Sequence, residues 1–215
     1  MATGPATGTR STTTTGAKTR PRAAASAPGS TAAAPAASPG TPPGTWQGGE
    51  NNVKSFANCG LQVPQGRTIS SINNLQTSIS WSYSNTNIRA NVAYDLFTAA
   101  DPNHDHSSGD YELMIWLAKY GDVYPIGSSA GYVNVAGQDW ELWTGYNGAM
   151  RVYSFIAPSP RNSFSANVKE FFNYLESAQG FPASSQYLLI FQAGTEPFTG
   201  GETTFTVNNF SASVA

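Results

Sequence analysis

Asp110-Tyr111-Glu112-Leu113-Met114-Ile115-Trp116-Leu117 reads with a period of two, and that period points to a β-strand. Tyr111, Leu113, Ile115 and Leu117 fall on one side of an extended chain and make an apolar face suited to a core. Asp110, Glu112, Met114 and Trp116 fall on the other side. A glutamate held between methionine and tryptophan is unusual on the solvated face of a sheet, which is ordinarily polar throughout. Residues 88–97 repeat the arrangement. Ile88, Ala90, Val92, Tyr94 and Leu96 alternate with Arg89, Asn91, Ala93, Asp95 and Phe97. On one sheet, the second faces of these two strands would line a groove with carboxylates set among apolar and aromatic groups.

Outward from these strands the texture is the same. From Trp46 onward, short runs rich in β-branched and aromatic residues are punctuated by Gly, Asn, Ser and Pro. Such spacing predicts an all-β sandwich or barrel. Strands are expected over 52–57, 60–64, 67–72, 77–83, 87–97, 110–119, 131–135, 138–146, 149–156, 185–194 and 202–213. One segment departs from the pattern. In 165–178, Val168, Phe171, Phe172 and Leu175 recur at i, i+3, i+4 and i+7, which predicts a helix with one apolar stripe. Ser165 is the expected N-cap, and Gly180 lies just past the C-terminal end. A lone helix on a β domain must bury its stripe against a sheet, most simply on the outer face of one sheet.

Residues 1–45 hold no Val, Ile, Leu, Phe, Trp or Tyr. Such a segment has too little apolar surface to offset its ordering entropy, so a disordered Ala/Thr/Pro/Gly-rich tail is expected, with the folded domain over 46–215. The 215-residue chain is long enough for one domain with a sizeable core. Charge divides at the same boundary. All 13 acidic residues follow position 45, whereas Arg10, Lys18, Arg20 and Arg22 precede it. An acidic domain is unsuited to phosphate contacts, so nucleic acid is not an expected partner. No run is long and apolar enough for a membrane span. Cys59 is the single cysteine, expected as a buried free thiol. Asp101-Pro-Asn-His-Asp-His-Ser-Ser108 reads as a polar loop rather than a metal site. Asn209-Phe-Ser211 is a glycosylation sequon.

The chemistry suited to paired acids among aromatic platforms is hydrolysis of a glycosidic bond. One carboxylate attacks the anomeric carbon and one carboxylic acid protonates the leaving oxygen; a separation of ~5–5.5 Å gives retention and ~6.5–9.5 Å gives inversion. Glu112 is one candidate. The second is Glu196, since the period through 187–196 places Gln192, Gly194 and Glu196 on one side, near the end of a strand before Pro197, Phe198 and a Gly-rich turn. Its alternative reading is an exposed strand-end glutamate. Glu170 and Glu176 lie off the helix's apolar stripe, and Glu202 follows Gly200-Gly201, so solvation is expected for all three. Glu141 alternates with Trp140 and Leu142, and the pattern does not exclude it.

Gly109-Asp-Tyr-Glu-Leu-Met-Ile-Trp-Leu-Ala-Lys-Tyr-Gly-Asp-Val-Tyr-Pro-Ile-Gly127 resembles the nucleophile strand and following loop of glycoside hydrolase family 12. Gly194-Thr-Glu-Pro-Phe-Thr-Gly200 resembles that family's acid/base segment, and Asn87 to Phe97 its strand with a supporting aspartate. Trp140 to Phe155 is similar as well, so the likeness covers 46–215. It implies a two-sheet antiparallel β-jelly roll and a retaining endo-β-1,4-glucanase without metal or cofactor. It implies β-glucan as the substrate, a monomeric state and an extracellular site of action. Carried over residue by residue, it implies Glu112 as nucleophile, Glu196 as acid/base and Asp95 as the nucleophile's neighbour. Asn91, Met114, Trp116, Pro125, Asn147 and Phe198 are implied to line the substrate groove.

The resemblance also carries a departure. The family's signal peptide and early strands are expected before the segment matching Trp46, where this chain has its Ala/Thr/Pro/Gly-rich stretch. An N-terminally incomplete domain with exposed sheet edges and reduced or absent activity is the resulting expectation. Tyr120 to Gly127 is more similar to endoglucanase members than to dedicated xyloglucanases. Competing readings are a xyloglucan-active member, a noncatalytic glycan-binding jelly roll, and a xylanase of the related jelly-roll family.

Overall fold

The computed structural model describes residues 31–33 and 44–215, the first three by backbone alone. Thirteen strands and one α-helix follow in chain order: β1 (Thr31–Ala33), β2 (Gly44–Trp46), β3 (Ala57–Leu61), β4 (Leu75–Tyr83), β5 (Ile88–Ala99), β6 (Tyr111–Tyr120), β7 (Ser128–Val135), β8 (Gln138–Asn147), β9 (Met150–Ile156), β10 (Ser163–Asn167), α1 (Lys169–Gln179), β11 (Tyr187–Leu188), β12 (Phe191–Thr203) and β13 (Phe205–Val214). They form two sheets. The small one is ordered β1-β13-β4-β10 and the large one β2-β12-β5-β6-β9-β8-β7, with β3 also on β12 and β11 on β5. Nearly all pairings are antiparallel, β6 with β9 being parallel. This is a two-sheet sandwich, as the alternation predicts, with the jelly-roll architecture that the resemblance implies.

The core lies between the sheets. Val92, Tyr94 and Leu96 of β5, and Leu113, Ile115 and Leu117 of β6, join Ile79, Trp81, Phe164 and Phe210 of the small sheet in one buried cluster. These are the residues that the period of two sends inward. The helix stripe is also as read: Phe171, Phe172 and Leu175 are buried, as is Val168. Its partners specify which face it covers. Phe171 meets Trp140 of β8 and Phe155 of β9 edge-on, at 5.3 and 5.0 Å between ring centres. Each such pair contributes about 0.5–1.5 kcal/mol beyond its buried area. Trp140 and Phe155 belong to the main core cluster, so the stripe sits on the core-facing side of the large sheet.

Element boundaries differ in several places. Residues 163–167, expected to open the helix, pair with β4 as β10, and Ser165 is not the N-cap. Asn167 instead accepts a hydrogen bond from Lys169 N at 3.2 Å, while Gly180 ends the helix in the left-handed conformation. Residues 69–71 form a 3-10 turn rather than a strand. Residues 52–56 are not in a strand; β3 starts at Ala57. The strand expected to stop at 194 runs on to Thr203 as β12.

The expected tail, 1–45, lies mostly outside the described residues. Within it, Thr31–Ala33 pairs with β13 and Gly44–Trp46 with β12. Main-chain hydrogen bonding at a sheet edge needs no apolar side chain, which is why composition did not reveal these strands. Cys59 is a half-buried free thiol donating to Ala193 O at 3.5 Å. Asn209 is exposed on β13.

Candidate active site

The face of the large sheet that points away from the core is ordered in cross-strand rows. In one row, Gln192 of β12 lies beside Asp95 of β5, then Met114 of β6, Ser154 of β9 and Trp143 of β8. A second row runs Gly194, Ala93, Trp116, Ile156 and Glu141. Glu112 is flanked by Phe97 and Val152, and Glu196 by Asn91. Alternation along β12, β5 and β6 therefore delivers Glu196, Asp95 and Glu112 to one face, which Glu141 of β8 shares.

Glu196 is not at a strand end. It is the sixth residue of β12, and the strand continues past it through a bulge between Pro197 and Thr199. A bulge is where a strand tolerates proline, whose missing N–H would break an ordinary ladder. The bulge leaves Phe198 buried in a small apolar cluster with Ala93, Met114, Trp116, Val123 and Ile156, with Trp143 packed against it.

The carboxyl groups are tied together. Asp95 and Glu112 share a side-chain hydrogen bond, and each is only 8 % exposed. Burial pushes Glu112 up to about 7, the negative charge of Glu196 adds to the rise, and the hydrogen bond from Asp95 opposes it. Asp95 is held well above the usual carboxylate range by burial, then by the charges of Glu112 and Glu196. It is thus the protonated donor and Glu112 the acceptor. Burial also raises Glu196, against a 2.6 Å hydrogen bond from Asn91 Nδ2 to its Oε2. Asn91 is completely buried, and its Oδ1 accepts from Glu196 N at 3.1 Å. Behind it, Thr195 donates to Asn91 O at 2.6 Å and is hydrogen-bonded to the Tyr83 hydroxyl.

The structure brings together Asp95, Glu112, Glu196 and Asn91, and sets Met114, Trp116 and Phe198 beside them. Pro125 is buried in the loop after β6. Asn147 is exposed at the tip of the β8–β9 hairpin and makes no hydrogen bond to the carboxyl groups. Two residues of this face were missed. Trp143 and Ser154 lie in the row of Asp95, and Tyr124 stacks on Trp143 at 5.6 Å between centres. The alternation of Trp140 and Leu142 with Glu141 and Trp143 carried the signal for Trp143. Four buried polar atoms here, Asp95 Oδ1, Trp116 Nε1, Trp143 Nε1 and Ser154 Oγ, have no partner among the described residues. Glu170, Glu176 and Glu202 are exposed, and Glu141 is half-buried on this face. Among the described residues there is no group of three His, Cys, Asp or Glu side chains placed to hold a metal ion, and the His104 ring is hydrogen-bonded to Asp105 O in its own loop. Among the described residues no helix is long and apolar enough to cross a membrane.

The family model for Glycosyl hydrolase family 12 matches residues 11–215. This chain belongs to glycosyl hydrolase family 12. It is therefore a glycoside hydrolase. Among similar family 12 proteins, Endoglucanase A of Aspergillus kawachii is 55% identical over 173 residues, covering 79% of this chain and 72% of the relative. A probable xyloglucan-specific endo-beta-1,4-glucanase A of Aspergillus terreus is 48% identical over the same share of this chain and 67% of its own. The catalytic domain of Humicola grisea Cel12A, solved with a soaked thio cellotetraose, is 56% identical with a TM-score of 0.78, over 80% of this chain and 77% of that one. Trichoderma harzianum Endoglucanase 3 gives 57% and 0.77, over 80% and 76%.

Proposed function

We propose that this family 12 hydrolase is a retaining endo-β-1,4-glucanase that cuts internal bonds of cellulose and β-glucan, acting outside the cell as a monomer. The observation that carries the reading is that Asp95, Glu112 and Glu196 share one face of the large sheet, Glu112 bonded to Asp95 and Glu196 to Asn91. Asp95 keeps its proton and donates to Glu112, so Glu112 is the member of the pair that ionises first. Glu196 is half-open to the outer face, where it can meet a leaving oxygen, and a bound sugar that excludes water and leaves Glu112 ionised beside it raises its pKa beyond what burial alone does.

In the first step, the Glu112 carboxylate attacks the anomeric carbon while Glu196 gives its proton to the departing glycosidic oxygen. A covalent glycosyl ester on Glu112 results. In the second, the Glu196 carboxylate takes a proton from water, which attacks the same carbon and releases Glu112. Two inversions give net retention. Trp143 and the exposed Tyr124 stacked on it offer ring faces for glucosyl units, with the fully buried Trp116 packed beneath the face, and the unpartnered polar atoms Asp95 Oδ1 and Ser154 Oγ match the hydroxyl chemistry of a sugar chain.

The test is release of reducing ends from carboxymethylcellulose by wild type and Glu112→Gln, with the anomer of the nascent product read by NMR. Activity that survives in the variant, or an initial α-product, overturns the assignment. A second reading is favoured by the 48% identity to a relative named as xyloglucan-specific. Faster cleavage of xyloglucan than of unbranched β-glucan would replace the first substrate with the second.

A further inference from the structure

A second row crosses the large sheet one residue before Glu112 and faces the opposite way. Tyr111 of β6 lies beside Arg151 of β9, which lies beside Tyr146 of β8. The adjacent residue of each strand, Glu112, Val152 and Gly145, belongs to the proposed catalytic face, so the Tyr111-Arg151-Tyr146 row is on its back. There it borders a solvent-open cavity of about 590 Å³, closed on the far side by the end of α1 and by Gln186. That volume is in the range of small-ligand sites, ~300–1,000 Å³.

The walls are built rather than incidental. The Arg151 guanidinium lies over the rings of Tyr146 and Tyr153, at 4.7 and 5.3 Å from their centres. Tyr111 and Tyr153 are stacked nearly parallel. Gln186 is 3 % exposed; its Nε2 donates to Asp110 Oδ2 at 3.0 Å, and its Oε1 accepts from Thr98 at 2.9 Å. Arg151 Nε is buried with no partner among the described residues. Tyr146 stands 61 % exposed at the rim.

We infer that this cavity is a second, noncatalytic binding site for a β-glucan segment. The inference rests on the glucanase reading for the identity of the sugar. The exposed Tyr146 ring suits the apolar face of a glucosyl unit, and a guanidinium and a carboxylate offer paired bonds to vicinal hydroxyls. One cation and one anion balance, so an uncharged ligand is accommodated where a free anion would meet Asp110. A polymer held here as well as on the catalytic face is bound at two points, which raises its local concentration.

The test compares wild type, Tyr146→Ala and Tyr146→Phe of the 215-residue chain. Hydrolysis of cellotetraose reports the catalytic face, and retardation in native gels cast with mixed-linkage β-glucan reports total polymer binding. Tyr146→Ala should retain cellotetraose hydrolysis and wild-type melting temperature but lose about fivefold in retardation constant, with Tyr146→Phe restored. Unchanged retardation in Tyr146→Ala overturns the second site while leaving the glucanase reading intact. Absence of cellotetraose and β-glucan hydrolysis by wild type sinks the glucanase reading instead.

Discussion

Asn91 holds Glu196 at two points, donating from Nδ2 to the carboxyl Oε2 at 2.6 Å and accepting from the backbone N of the same residue at 3.1 Å. A buried amide with both ends engaged has one orientation, so it sets the rotamer of the proposed acid and lowers its pKa together. Burial works the other way and prevails. Asn91→Ala removes the lowering contribution, and the Glu196 pKa rises further. A general acid is active below its pKa, so the alkaline limb of the kcat/KM profile should move to higher pH. Misplacement of the carboxyl should also cut the maximum by roughly a hundredfold. A limb that moves down or stays, in a pH profile on soluble β-glucan, contradicts this role for Asn91.

Asp95 acts on the opposite limb. Its hydrogen bond favours the ionised form of Glu112, whose pKa is otherwise pushed up by burial and by Glu196. Asp95→Ala removes the donor, so the Glu112 pKa rises and the acidic limb moves to higher pH. Asp95→Asn keeps an N–H donor at the same place and should leave that limb closer to wild type. Titration of activity from pH 3 to pH 9 in the three proteins distinguishes a donor role from a packing role, which both variants would disturb alike.

Stability should respond to the same carboxyl. Glu112 is raised in the folded chain to about 7, from an ordinary value near 4.5. Between those values the folded state binds more protons than the unfolded state, so stability falls as pH rises through the window. Glu112→Gln removes the cost of ionising a buried acid. Its melting temperature should match wild type near pH 4 and exceed it at pH 8, where the difference is on the order of 3 kcal/mol, several degrees for a domain of this size. A calorimetric series across pH checks the sign: a variant less stable at pH 8 than wild type refutes the account.

The strands that carry the proposed catalytic residues were legible because two periodicities agreed. In β5 and β6 the inward residues were uniformly apolar, so Asp95, Glu112, Met114 and Trp116 had one face left to occupy. The end of β12 was not legible, since Pro197 and the glycines after Thr199 read as a turn until a partner strand supplied a bulge to absorb them. The helix start was misread for a related reason. Ser165 has capping chemistry, but residues 163–167 gain five cross-strand partners on β4, and that pairing prevails over local preference. Trp143 and Ser154 needed the row order of β6, β9 and β8, and the parallel β6–β9 pairing that creates it is not apparent from either strand alone.

Gly127 connects the loop after β6 to the proposed substrate face. Its φ is +96°, and a Cβ there would lie 1.9 Å from Thr144 O and 2.6 Å from Gly145 Cα. Only glycine lets the loop backbone approach β8 this closely. The same loop carries Val123 into the cluster of Met114 and Trp116, and places Tyr124 against Trp143. Gly127→Ala must break that approach and strain a left-handed backbone, at a cost of at least ~2 kcal/mol. The carboxyl groups themselves sit on β5, β6 and β12, away from the displaced loop. KM for β-glucan should therefore rise severalfold with kcat nearly preserved, alongside a lowered melting temperature. If kcat collapses while KM holds, the loop acts on the chemistry rather than on the seating of the sugar chain.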